Sequence, residues 1–148
     1  MNESFSKKVL RYPYDIGSLL LRVTGGSMML THGFPKLQYL LSGDTITFPD
    51  PFFISPTLSL ALAVFAEFFC AILVIIGLRT RFATLPIIIT MIVAILAVHI
   101  TDGLEKQELP LLYLSIFTCI LIIGGGSYSV DQMLFNRNKS RSQVANQY

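Results

Sequence analysis

Apolar residues dominate four stretches of this chain, each near the roughly 20 residues that a helix needs to cross a bilayer. The pattern predicts helices at about 16–34, 56–78, 82–100 and 109–127. Polar breaks separate them. Gly43, Asp44, Pro49, Asp50 and Pro51 mark a loop over 42–55. Ser55 followed by Pro56 reads as a hydroxyl N-cap and a proline at the first helical position. GLRTR, from Gly77 to Arg81, is a tight basic turn, and TDGLEKQE, from Thr101 to Glu108, is an acidic loop. Pro86 falls in the first turns of the third helix, where it costs least, and Pro110 opens the fourth, which ends at Gly124-Gly125-Gly126. Residues 135–148 form a polar tail that reads as disordered. The fold class that follows is all-α: one integral-membrane four-helix bundle over 1–134.

Composition supports that reading. The chain has 148 residues, 53% hydrophobic and 14% charged, with a mean hydropathy of +0.63. A charged share near 25% is usual in soluble domains. A net charge of +2, with the basic residues in loops and at chain ends, excludes a nucleic-acid surface. Four spans put the N-terminus, the basic turn and the C-terminus on one side. That side carries Lys7, Lys8, Arg11, Arg79, Arg81, Arg137, Lys139 and Arg141, against Lys36 and Lys106 on the other. The positive-inside rule therefore places both termini in the cytoplasm, in a multi-pass membrane protein. Arg22 interrupts the first apolar run and no small-residue cleavage site precedes Lys36, so that run reads as a retained span.

The first span holds the unusual residues. Over RVTGGSMMLTHGFPK, from Arg22 to Lys36, helical spacing puts Arg22, Gly26, Met29, Gly33 and Lys36 on one stripe, with Gly25 and His32 beside it. A guanidinium at membrane depth faces the bundle interior, and glycines on that face admit a second helix. The second span has one charge, Glu67. Depth bookkeeping predicts a buried Arg22–Glu67 ion pair, either fixing helix register or serving as a proton relay or headgroup anchor. His32, Lys36 and His99, with Asp102, Glu105 and Glu108 nearby, form a second cluster at the outer face, suited to binding a quinone carbonyl or passing protons. The plainer reading of that cluster is interfacial polarity facing water and headgroups. Two histidines without a third ligand make no metal site. Cys70 and Cys119 fall at similar depths, and both read as packing residues rather than a redox pair. Met28, Met29 and Met91 read as packing too.

These residues, in this order, resemble the DoxX family of small four-helix membrane proteins. The resemblance spans about Tyr14 to Leu134. It rests on Arg22, Gly26, His32-Gly33 and Lys36, on AEFFCAILVIIGLRTRFA with Glu67 and Gly77-Leu78, on His99, and on the closing GGGSYSVD, Gly124 to Asp131. It implies a multi-pass protein of the cell inner (plasma) membrane, a subunit tied to redox metabolism that binds a quinone-like molecule or anchors a soluble or membrane oxidoreductase partner. It supplies no catalytic residue set and no covalently bound cofactor. The chain has no flavin motif and no CxxC, so electron transfer by this chain alone is not expected. Two alternatives remain on the residues alone: a small transporter or proton pathway along the polar line, and a non-catalytic membrane assembly factor. A homo-oligomer that completes a site is compatible with each.

Overall fold

The computed structural model describes residues 3–101 and 103–145, and side-chain surroundings for residues 12–101 and 103–137. Among them all regular structure is helical: α1 (Glu3–Leu41), α2 (Pro56–Ile76), α3 (Thr80–Val98), α4 (Leu104–Ile123) and α5 (Val130–Ala145). By length and composition α2, α3 and α4, of 21, 19 and 20 residues, are able to cross a membrane. Their apolar residues also face outward. Leu58, Leu62, Phe65, Phe69, Ile72 and Ile76 recur every three or four residues along α2 and all are exposed. Phe82, Leu85, Ile89, Ile92 and Leu96 do the same on α3. A helix apolar on both its packed and its outer face is built for lipid rather than water.

The longest helix, α1, packs along α2 and α4, and α3 packs against α4 and α2. Met29 of α1 joins Cys70 and Val74 of α2, Ile87 and Met91 of α3, and Tyr113, Phe117 and Ile120 of α4 in one buried cluster. The glycines of α1 set the helix spacing. A Cβ on Gly33 would lie 2.5 Å from the carbonyl carbon of Glu67, and one on Gly26 would lie 3.3 Å from the Ala71 carbonyl oxygen. The two backbones touch, as the small-residue stripe requires.

Element ends differ from the sequence expectation. The first helix, expected over 16–34, runs from Glu3 to Leu41, straight through Pro35. That proline removes one backbone bond, but the turn beyond it is tied down: Lys36 bonds Glu67, and the Tyr39 hydroxyl bonds Thr45 and Thr47 of the following loop. The fourth helix begins at Leu104 and stops at Gly124, where φ is +83°. Ser55 makes no side-chain cap; Asp50 instead accepts from the Ile54 N–H and the Ser59 hydroxyl. The tail read as disordered continues as α5 to Ala145, and residues 146–148 lie outside the described residues.

Two departures were invisible in the sequence. Phe65–Cys70 within α2 and Ala94–Val98 at the end of α3 are π-helical. The first contains Glu67 and the second delivers His99. Such wide turns recur at functional sites because they shift one residue out of helical register.

Candidate functional site

The polar residues of the helices separate into two groups, one at the α2–α3 end of the bundle beside the middle of α1 and one toward the C-terminal end of α1. Arg22 and Lys36 are roughly 20 Å apart along its axis, at about 1.5 Å per residue.

At the first end, α2 closes in a Schellman motif. Gly77 takes φ +75°, the Leu78 N–H donates to Leu73 O at 3.0 Å, and the Gly77 N–H donates to Val74 O at 3.1 Å. The Arg22 guanidinium lies against this turn, fully buried, where a Cβ on Gly77 would collide with it. Its Nη2 donates to Tyr128 O at 2.6 Å, and Nη1 reaches Val74 O and Ile75 O at 3.5 Å; its buried Nε has no hydrogen-bond partner among the described residues. Ser18 donates to Gly124 O at 2.7 Å, and Asp15 accepts from the Ser127 N–H and hydroxyl at 2.8 and 2.6 Å. Three side chains spaced along α1 therefore hold the GGGSYS loop. Asp131, at the start of α5, accepts from the Arg79 and Thr80 N–H groups and the Thr80 hydroxyl, while its own N–H donates to Gly77 O. It thus caps α3 just where Arg79 takes a positive φ of 49°. Burial alone would raise the Asp131 carboxyl, but the Thr80 and Arg79 bonds and the charge of Arg22 carry it below its usual value.

At the second end, the side chain of Glu67 is almost entirely buried and binds Lys36 through both oxygens, at 2.5 and 2.6 Å. The ammonium is half-exposed and lies 5.8 Å from the Phe48 ring centre, on the loop between α1 and α2. The expected Arg22–Glu67 pair is therefore absent, and both partners are otherwise engaged. The expectation failed on register. Gly33, not Arg22, lies level with Glu67, because α1 extends far past both ends of the apolar run and Arg22 falls beside the last turn of α2.

Two cavities adjoin the Lys36–Glu67 pair. The larger, about 390 Å³, lies under the loop over 48–54 and between α2 and α3; apart from Lys36, Glu67, His99, Ser59 and Thr90 its lining is apolar. The smaller, about 230 Å³, is lined by His32, Lys106 and Tyr113 as well as Met29, Met91, Leu109 and Pro110. Lys36, Glu67, Ala94 and His99 line both. The His32 ring stands edge-on to Tyr113, centroids 5.6 Å apart, and the His99 backbone is fixed by the Gln107 side chain, which donates to its carbonyl at 2.7 Å.

Four of the five expected site residues, His32, Lys36, Glu67 and His99, thus meet in one place, and Arg22 stands apart. Glu105 and Glu108 of the acidic loop are exposed on α4, and Asp102 lies outside the described residues, as do the side chains of Lys7, Lys8, Arg11, Lys139 and Arg141. Cys70 is buried in the core and Cys119 is exposed on α4; both are free thiols. No group of three metal-ligating side chains occurs among the described residues. Sequence reasoning passed over Tyr113 and Phe48: one sits in an unbroken apolar run, the other in a loop rich in turn residues, and neither setting singles out an aromatic. A model of the DoxX family matches residues 17–100, which takes in every one of the four clustered residues. No curated protein and no solved structure matches the chain.

Proposed function

The chain belongs to the DoxX family of membrane proteins, and on that footing we propose that it is a membrane subunit of redox metabolism that binds a quinone-like amphiphile in the larger cavity. In this reading α1 is a fourth span beside α2, α3 and α4, the basic end with both termini faces the cytoplasm, and the bilayer is the cell inner membrane.

The observation that carries the reading is the Lys36–Glu67 pair set in the wall of an otherwise apolar cavity. A volume of about 390 Å³ suits a single ring with part of its tail, since small-molecule pockets start near 300 Å³. Glu67 engages two of the three ammonium protons of Lys36, which leaves a donor for a ligand carbonyl. His99 supplies a second polar group, and Phe48 with the apolar lining takes the ring and tail. In this reading the subunit passes a bound quinone to an oxidoreductase partner that it anchors.

Native mass spectrometry of gently extracted protein tests this. Wild type should retain a quinone, and the double variant Lys36→Met/Glu67→Leu, which removes both charges together, should stay folded and lose it. Wild-type protein that is folded and quinone-free, or a double variant that keeps its quinone, would remove this reading. The small polar cavity behind the pair favours a second reading, a proton pathway, whose signature would be Glu67-dependent proton flux in liposomes without added quinone.

A further inference from the structure

The two cavities that share the Lys36–Glu67 pair differ in chemistry. Ionisable groups line the smaller one from four helices: His32 and Lys36 of α1, Glu67 of α2, His99 at the end of α3 and Lys106 of α4, with Tyr113 of α4 beside them. The larger one has only the shared Lys36, Glu67 and His99 among many apolar neighbours. Water occupies a cavity when it finds two to four polar partners there, and avoids an apolar one of similar size. About 230 Å³ is room for several waters at roughly 30 Å³ each. Lys106 is exposed near the start of α4, and His99 ends α3, so the smaller cavity reaches the end of the bundle where the α1–α2 and α3–α4 connections lie.

We propose that the smaller cavity is a water-filled antechamber joining the Lys36–Glu67 pair to the aqueous phase at that end, so that the pair has one wet face and one apolar face. The division of labour, ligand in the larger cavity and water in the smaller, rests on the function proposed above; the antechamber itself does not. Through it a proton from water reaches the Glu67 carboxylate or either imidazole with no ligand leaving the larger cavity. The groups that line the antechamber around the pair are His32, His99, Lys106 and Tyr113. The π-helical turns at Phe65–Cys70 and Ala94–Val98 supply this geometry, since they bring Glu67 and His99 to the partition between the two spaces.

Cysteine accessibility in sealed proteoliposomes tests the antechamber without any ligand. The background is Cys70→Ala/Cys119→Ala, and the probe is a charged, membrane-impermeant methanethiosulfonate. Reporters in the smaller cavity are Met91→Cys and Leu109→Cys; those in the larger are Ala63→Cys and Val93→Cys; Ser42→Cys, exposed in the α1–α2 loop, marks the loop side. Two reporters per cavity guard against one that fails to fold. The smaller-cavity pair should react about tenfold faster than the larger-cavity pair, because the thiolate is the reacting form and apolar surroundings keep a thiol protonated. They should react only from the side on which Ser42→Cys reacts. Equal or slower rates in the smaller cavity, or labelling from the opposite side, would overturn the proposal. Absence of a bound quinone would sink the ligand reading and leave these rates as they are, so the two failures are distinguishable.

Discussion

Two levels of α1 each carry a cation among the helices, Arg22 near its middle and Lys36 toward its C-terminal end, and they use it in opposite ways. Arg22 is fully buried and aims its guanidinium at main-chain carbonyls, from Val74, Ile75 and Tyr128. Lys36 meets a carboxylate side chain and has open space on both sides. A guanidinium can satisfy several carbonyls at once because its donors fan out in a plane; an ammonium is a point charge on a flexible stem that can turn from one partner to another. The Arg22 end is therefore a fixed joint, tying the end of α2 and the GGGSYS loop to α1. The Lys36 end is where a partner can be exchanged. Depth in the membrane does not mark a residue as functional by itself; the partner it meets and the space beside it decide.

That contrast can be broken by mutation, and the largest effect belongs to the joint. Arg22→Ala leaves three carbonyls without their charged donor, and hydrogen bonds to charged groups contribute about 1.5–3 kcal/mol each, so the loss should approach the stability of the whole bundle. Arg22→Lys should not rescue it, since one ammonium cannot reach both the α2 terminus and Tyr128. Reversible unfolding in mixed micelles measures both. An Arg22→Lys protein of wild-type stability would mean the planar donor set is not what holds the joint.

Next in size is the pair. Glu67→Leu alone strands the lysine and should cost about 3 kcal/mol, whereas Lys36→Met/Glu67→Leu should recover most of that. Additive losses in the same unfolding assay would show that the two charges are not coupled. Arg22→Met/Glu67→Leu is the matching control. It should show additive losses, because those residues have no shared partner.

A smaller effect is expected at the helix contact. Gly33→Ala puts a methyl 2.5 Å from the Glu67 carbonyl carbon and oxygen, backbone atoms that move only if α1 and α2 part. Overpacking of this kind costs about 1–3 kcal/mol. Gly25→Ala meets only the Ile116 side chain at 2.8 Å, which can rotate away, so it should be milder. Equal losses at the two positions would contradict the close approach of the α1 and α2 backbones.

The smallest effect concerns pH. The Asp131 carboxyl lies below its ordinary value of 3.8 in the folded protein. It contributes stability above that ordinary value, and the contribution fades as pH falls through the lower, folded value. Asp131→Asn should lose this part of the acid sensitivity while unfolding slightly more readily at neutral pH. An unchanged acid limb would place the sensitivity elsewhere.

Much of the architecture was legible because membrane spans are written in long runs. Three long apolar helices, the loop over 42–55 and the turn at Gly77 match stretches that the pattern marks; on the stripe Arg22, Gly25, Gly26, Met29 and Gly33 are buried, whereas Lys36 is half-buried and His32 beside it is exposed. The meeting of His32, Lys36, Glu67 and His99 was also within reach, since topology alone brings the end of the first helix to the end of the third. The identity of the ion pair was not. It depends on where α1 lies against α2 to within a few residues, and that register is set by Gly33 touching the Glu67 backbone, a contact no single-chain pattern encodes. The π-helical turns were hidden for a related reason: FAEFFC and AILAV carry no residue that forbids an ordinary helix, so only packing selects the wider turn. The roles of Asp15, Ser18 and Asp131 were hidden because each looks like ordinary surface polarity until the loop or turn it holds is in place.

The central claim is that Lys36 and Glu67, rather than Arg22, form the ligand-facing site. Isothermal titration of a short-tailed benzoquinone into detergent-solubilised protein tests it most directly, comparing wild type with folded Lys36→Met/Glu67→Leu. The expected result is saturable one-site binding to wild type that disappears in the double variant while its unfolding curve stays near wild type. Undiminished binding to that double variant would contradict the account.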